Sequence, residues 1–189
     1  DIHIWAILPR GKTPILKPNV DEIPDWQGLF VGAYQARLKE LQDAAGDQSV
    51  NLYDLNEQTY KKLRYGVKVS ESVGQHKTTV QFVDWEHPLE MIFIAEEVTI
   101  KHKRPDLVLY INGIAFAVIE LKRSTVSMSE GIRQNLTNQR PDMIMQFFAT
   151  IGWSWAGNDS EGARYGTTGT PEMYYLPGKK ILMPKMMFP

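Results

Sequence analysis

The 189-residue chain contains no cysteine. That absence removes disulfide cross-links, cysteine-ligated zinc and thiol catalysis together. Its 4 histidines, His3, His76, His87 and His102, show no paired ligand spacing, so the pattern offers no histidine-rich metal centre either. No apolar run approaches the roughly 18 residues of a membrane span, and the N-terminus lacks a basic-then-apolar leader pattern. A reducing, cytoplasmic setting without membrane contact is therefore expected. Excess positive charge is missing too, because 21 Lys and Arg against 22 Asp and Glu leave a net charge of −1. Strong autonomous binders of nucleic acid are usually basic. Any contact with a polyanion must then be local, or be supported by other chains. Repeats and low-complexity segments are also absent. Hydrophobic residues at 43% and charged residues at 23% suit one domain with a proper core, or one domain with an appended element.

What is present begins with a short apolar run, Ile2 to Leu8, followed by Pro9, Pro14, Pro18 and Pro24, which exclude a continuous helix. Trp26, Phe30, Tyr34, Leu38 and Leu41 recur at helical spacing and Gly46 stops them, predicting an amphipathic helix over 26–44. A second, shorter helix is expected from Asp54, with Glu57 completing a capping box, to near Gly66. The period then changes to two. Val67 and Val69, then Val80, Phe82 and Trp85, flank a polar turn at Ser72–Lys77 and predict a hairpin. Strands are expected at Met91–Ile100, Asp106–Ile111 and Ile114–Lys122, the last two joined by Asn112-Gly113, a strong hairpin signal. Ser127 and Glu130 form a second capping box, so a helix should run from Met128 to Arg140, before Pro141. Met145–Trp155 reads as a buried strand, Gly157-Asn158-Asp159 as a turn, and 162–189 as loop, short strand and exit linker. The fold class is α+β, a mixed, mostly antiparallel central sheet flanked by helices.

The chemistry gathers at the Asn112-Gly113 hairpin. Asp106 precedes one strand, and Glu120-Leu121-Lys122 ends the next. Glu120 and Lys122 share a face automatically, because strand side chains alternate. Asp106 does not. A two-residue Asn112-Gly113 loop pairs Ile111 with Ile114 and sets Asp106 opposite Ile119, on the wrong face. The acids meet only with a three-residue loop, Ile111-Asn112-Gly113 with Gly113 left-handed, or with a bulge in one strand. If they meet, Asp106 and Glu120 offer hard oxygen ligands for Mg²⁺, with the Leu121 carbonyl as a third. Lys122 can orient an attacking water or stabilise charge in the transition state. Hydrolysis of a phosphodiester uses that set. The apolar run Ala115–Ile119 suits a central strand and makes its closing Glu-x-Lys half-buried. The alternative reading is a surface strand end carrying one acid and an ion pair.

These residues resemble the PD-(D/E)xK nuclease core. The resemblance rests on Arg104-Pro105-Asp106-Leu107-Val108-Leu109-Tyr110, on the Asn112-Gly113 turn, and on Val118-Ile119-Glu120-Leu121-Lys122. More narrowly, the chain is similar to the N-terminal nuclease domain of the type I restriction enzyme R subunit. That similarity extends through Ala95–Ile100, Val126-Ser127, Gly131–Asn135, Phe147–Thr150 and Gly157–Thr167, and covers about 50–175. The resemblance implies acid, acid and lysine roles for Asp106, Glu120 and Lys122. It matches Gln134 to the glutamine of a Gln-x-x-x-Tyr motif, which helps place substrate or metal ligands. The chain departs from that motif with Asn138 in place of tyrosine. An acid from the first helix often completes such sites, and Glu57 is the one at hand.

The function implied is a Mg²⁺-dependent endonuclease cutting double-stranded DNA when coupled to an ATP-driven translocase. Its implied partners are methylation and specificity subunits, and the subunit's own motor domains beyond residue 189. ATP would serve those motor domains and would not be bound by this chain. Three regions are expected: an N-terminal extension and helix over 1–49, a nuclease core over 50–175, and an exit linker over 176–189 leading toward the motor. Two rivals keep the fold but change the job. One is a stand-alone repair or recombination nuclease. The other is a non-catalytic docking domain.

Other features carry less. Ala6-Ile7-Leu8-Pro9-Arg10-Gly11-Lys12-Thr13 is similar to a phosphate-binding loop, but Pro14 and Pro18 deny it the helix such a loop opens. The basic run Lys101-His102-Lys103-Arg104 reads as a turn beside Asp106, with His102 near enough to contact phosphate. Trp153 and Trp155 alternate and read as strand packing residues. Asn158, Glu161, Arg164 and Thr167 occupy a polar loop that either turns the chain or reaches DNA.

Overall fold

In the computed structural model the structure describes residues 51–69, 78–81, 83, 85–86, 92–111 and 113–178. The expected helix over 26–44, the loop over 6–13, His3, His76, His87 and Asn112 lie outside these residues. The elements run α1 (Leu52–Tyr65), β1 (Val67–Val69), β2 (Thr78–Val80), β3 (Ile92–Glu96), β4 (Leu107–Ile111) and β5 (Ile114–Leu121). They continue with α2 (Met128–Asn138), α3 (Met145–Phe148), β6 (Trp153–Asn158), β7 (Gly162–Gly166), a 3₁₀ turn at Glu172–Tyr174, and β8 (Leu176–Pro177). Six strands form one sheet in sequence order, β3 to β8, and β1–β2 form a separate hairpin. All pairings in the large sheet are antiparallel except β5–β6. The architecture is the mixed, mostly antiparallel α+β fold expected. Among the described residues no helix is long and apolar enough to cross a membrane.

α1 begins two residues before the expected capping box. Asn51 caps it instead, its side chain accepting from the Tyr53 amide at 3.0 Å. Leu55, Thr59 and Leu63 form its buried stripe. Asn56 donates its amide to the carbonyls of Phe148 and Ala149, at 2.7 and 3.1 Å, and Thr59 donates to Ala149 at 3.0 Å. These side chains satisfy carbonyls that a helix end leaves without an intrahelical partner.

The stretch expected as one strand over Met145–Trp155 divides. Its first part is α3, and only Trp153 onward is extended. So short a stretch, its apolar residues broken by Gln146, Thr150, Gly152 and Ser154, does not distinguish a buried helical turn from a buried strand. Phe147 and Phe148 pack edge to face, ring centroids 5.4 Å apart, in the main core with Val98, Val108, Val118, Ile144 and Ile151. The turn expected at Gly157–Asp159 lies later, because β6 runs through Asn158. The tail expected as mostly loop supplies β7 and β8. α2 stops at Asn138, two residues short of expectation. Ser127 caps it through the Ser129 amide at 3.3 Å, but Glu130 turns outward to Arg133 rather than completing a capping box.

The β4–β5 hairpin has both a two-residue loop and a bulge. Ile111 pairs with Ile114 and Tyr110 with Ala115, and then Leu109 pairs with Ala117. Phe116 is the extra residue, and Gly113 is left-handed with φ 81°. The carbonyl of Phe116 is not wasted, since the Gly152 amide donates to it at 2.8 Å just before β6 begins. Beyond the bulge Val108 faces Val118 and Leu107 faces Ile119. One further step sets Asp106 opposite Glu120. Of the two routes expected to unite the acids, the bulge is the one used.

Candidate functional site

Glu120 enters the core face of the sheet at the end of β5 and is 1% exposed. Asp106 lies across from it, and its Oδ2 accepts from the Leu121 amide at 2.7 Å. Burial is the chief cause that pushes the Glu120 carboxyl from 4.5 to about 7, and the charge of Asp106 raises it further. Lys122 opposes that rise. Its ammonium stands 3.7 Å from Glu120 Oε2, beyond hydrogen-bond reach, with a side chain only 20% exposed.

Gln134 joins the two. Its Nε2 donates to Glu120 Oε2 at 2.8 Å, and its Oε1 accepts from Lys122 Nζ at 2.7 Å. Reversing that amide would aim an NH₂ at an ammonium and a carbonyl at a carboxylate, so both partners fix its orientation. Gln134 reaches the site because α2 lies close on the sheet. At Gly131 an added Cβ would stand 3.0 Å from the Ala156 Cβ and 3.5 Å from the Glu120 Cβ. Asn135, fully buried beside it, donates to the Trp155 carbonyl at 2.9 Å and ties α2 to β6.

Asp106, Glu120, Leu121, Lys122 and Gln134, all singled out in the sequence, therefore come together. Glu57 does not join them. It lies half-exposed on α1 and pairs with Lys61 at 2.7 Å, and among the described residues no group of three acidic or histidine ligands forms. Asn138 is buried at the end of α2, where its backbone carbonyl accepts from the Ile144 amide at 3.1 Å. His102 is exposed in the turn before Asp106.

The loop over 158–167 resolves into structure. Arg164 belongs to β7, and Asn158 and Glu161 clamp the approach to α2. Glu161 accepts from the Met128 amide at 3.0 Å, and Asn158 donates to the Val126 carbonyl at 2.8 Å. Trp155 stacks on Tyr165 at 4.8 Å, and Trp153 packs on Phe116 at 5.6 Å, so both tryptophans act as strand packing residues. Two contributors escaped the sequence reading. Gly131 left a signal, a glycine inside an otherwise helical pattern. Phe116 left none, because a bulged residue in an apolar run looks like its neighbours.

Among Asp106, Glu120, Lys122 and Gln134, one buried atom is out of balance. Glu120 Oε1 is buried without a hydrogen-bond partner, although buried carboxylate oxygens are ordinarily satisfied. Two facing carboxylates with an unmet oxygen favour a hard divalent cation, whose preferred donors are oxygens. The residues present fit such an ion.

A model of the type I restriction enzyme R protein N terminus matches residues 13–173. The match reaches well upstream of the stretch over 50–175 on which the resemblance was built. No curated protein matches the chain.

Proposed function

The chain belongs to the family of type I restriction enzyme R protein N-terminal domains, and on that premise we propose that Asp106, Glu120 and Lys122 form a Mg²⁺-dependent endonuclease centre for duplex DNA. The family is one of PD-(D/E)xK nuclease type. The observation that carries the reading is the buried Glu120 carboxylate beside Asp106, with Oε1 left without a hydrogen-bond donor. Asp106, Glu120 and the Leu121 carbonyl would hold the metal. When bound, the ion supplies an activated water and offsets charge on the phosphate.

The chain's own residues supply the rest. The Leu121 amide fixes the Asp106 carboxylate by the 2.7 Å bond. Gln134 holds Lys122 close to Glu120 and keeps the ammonium from collapsing onto it. Lys122 then remains available to orient water or to stabilise charge growing on phosphorus. The family implies a restriction complex, and the partners proposed within it are methylation and specificity subunits, with motor domains that use ATP and deliver duplex DNA. A net charge of −1 suits a domain to which DNA is brought.

Titration of Mn²⁺ into the protein with a short duplex present tests the centre, comparing wild type with Asp106→Ala and Glu120→Ala. Binding in wild type that is lost in both variants is expected. Equal binding in all three, or none, would overturn the metal centre and favour a non-catalytic docking role.

A further inference from the structure

The turn between β3 and β4 is basic, tight and strained, and the acid cluster makes no use of it. Ile100 and Lys103 exchange both backbone hydrogen bonds, at 2.8 and 3.0 Å, leaving only Lys101 and His102 at the tip. Lys101 has φ 53°, in the left-handed region where a Cβ crowds the backbone. Glycine or asparagine would adopt that conformation with less strain. The turn thus holds a cation at its tip against a local steric cost.

That cation is free to act. Both tip side chains are exposed. Lys101, His102 and Lys103 make no ion pair among the described residues. Only Arg104 reaches an acid, Glu97 at 3.5 Å, and both side chains are largely exposed, so the pair is weak.

The tip is also joined to the candidate site through the backbone. Pro105 is buried, and the Glu97 amide donates to the Asp106 carbonyl at 2.9 Å. A group gripped at the tip therefore lies within a few residues of Asp106 along the chain. Exposed Arg123, next in sequence to Lys122, adds a further cation. In a chain of net charge −1, this is where a polyanion finds local positive charge.

We propose that the Lys101–His102 turn is a phosphate-backbone contact that seats duplex DNA beside Asp106 and Glu120. The identity of the polyanion rests on the nuclease reading; the contact itself rests on the turn. It positions the duplex without reading its sequence, as phosphate contacts do.

The test is fluorescence anisotropy of a labelled 20-base-pair duplex across a KCl series, without divalent ions so that no strand is cut. Wild type is compared with Lys101→Gly and Lys101→Asn, both of which tolerate the left-handed backbone, and with Lys101→Gly combined with Lys103→Gln. Each variant should melt no lower than wild type, since strain is relieved. Each single variant should bind about three- to tenfold more weakly near 0.1 M salt. The slope of log K against log salt should become shallower by about one for each cation removed, and equally for an unrelated duplex sequence. Unchanged affinity and slope in the folded variants would overturn the proposal, as would failure of wild type to bind duplex at low salt. Repeated without duplex, the Mn²⁺ titration at Asp106 and Glu120 reads the nuclease centre alone, so failure of the turn and failure of the centre are distinguishable.

Discussion

Replacing Glu120 with glutamine should make the metal-free domain more stable while disabling its proposed centre. The carboxyl is buried and faces Asp106, which lifts it from 4.5 to about 7. A folded state that holds a proton more tightly than the unfolded state loses stability as pH rises. That loss begins near pH 4.5, continues through about pH 7 and is complete above it. Each pH unit across that window is worth about 1.4 kcal/mol, so the full cost approaches about 3 kcal/mol at pH 8 and is only about 1 kcal/mol at pH 5. Glutamine cannot ionise and escapes the cost. Its carbonyl can still accept from Gln134 Nε2, the bond now 2.8 Å long, and its NH₂ would face the Asp106 carboxylate. Urea unfolding in the presence of a chelator, at pH 5 and pH 8, measures the difference. We expect Glu120→Gln to gain about 3 kcal/mol at pH 8 and about 1 kcal/mol at pH 5, and to lose Mn²⁺ binding. A variant less stable than wild type at pH 8, or a gain that does not change with pH, would refute the reasoning.

Two further changes probe the supports. Gly131→Val places branched carbons where even a Cβ stands 3.0 Å from the Ala156 Cβ, so α2 must lift from the sheet and carry Gln134 off Glu120. Metal affinity and melting temperature should both fall, whereas Ser129→Ala, on the same helix but away from that contact, should change metal affinity little. Phe148→Ala removes a fully buried ring from the main core. It should cost about 3–5 kcal/mol in chemical denaturation, and a loss below about 1 kcal/mol would mean that α3 does not anchor the core as described.

The parts of the fold legible in the sequence were those with a period or a punctuating residue. Val67 and Val69 mark β1, the Asn112-Gly113 signal anticipates the β4–β5 pairing, and Ser127 starts α2. Where a short stretch mixes apolar and polar residues, as from Met145 to Ile151, the sequence could not separate α3 from a strand. The weakly patterned stretch after Gly162 hid β7 and β8, whose pairing comes from neighbouring strands rather than from their own residues. At the site, Glu120 and Lys122 were legible from strand alternation, and Asp106 from its chemistry as an oxygen ligand and from the family resemblance. The bridge made by Gln134 was not, because it depends on how closely α2 lies on β5 and β6, and that closeness is set across the sequence by Gly131 and Ala156.

The bulge at Phe116 also says how this hairpin can lengthen or shorten. Strand side chains alternate, so a single residue gained or lost within a paired arm between Asp106 and Glu120 sends one acid to the opposite face of the sheet. Two residues restore it. Residues added to the loop itself leave the strand register, and with it the facing of the acids, unchanged. An odd step is therefore compatible with the site when the loop or a bulge takes it up. Spacing alone is thus a poor ruler for recognising such a pair of acids in a distant chain. The useful count is loop length and bulges together, and here that count gives a two-residue loop with one extra residue in β5.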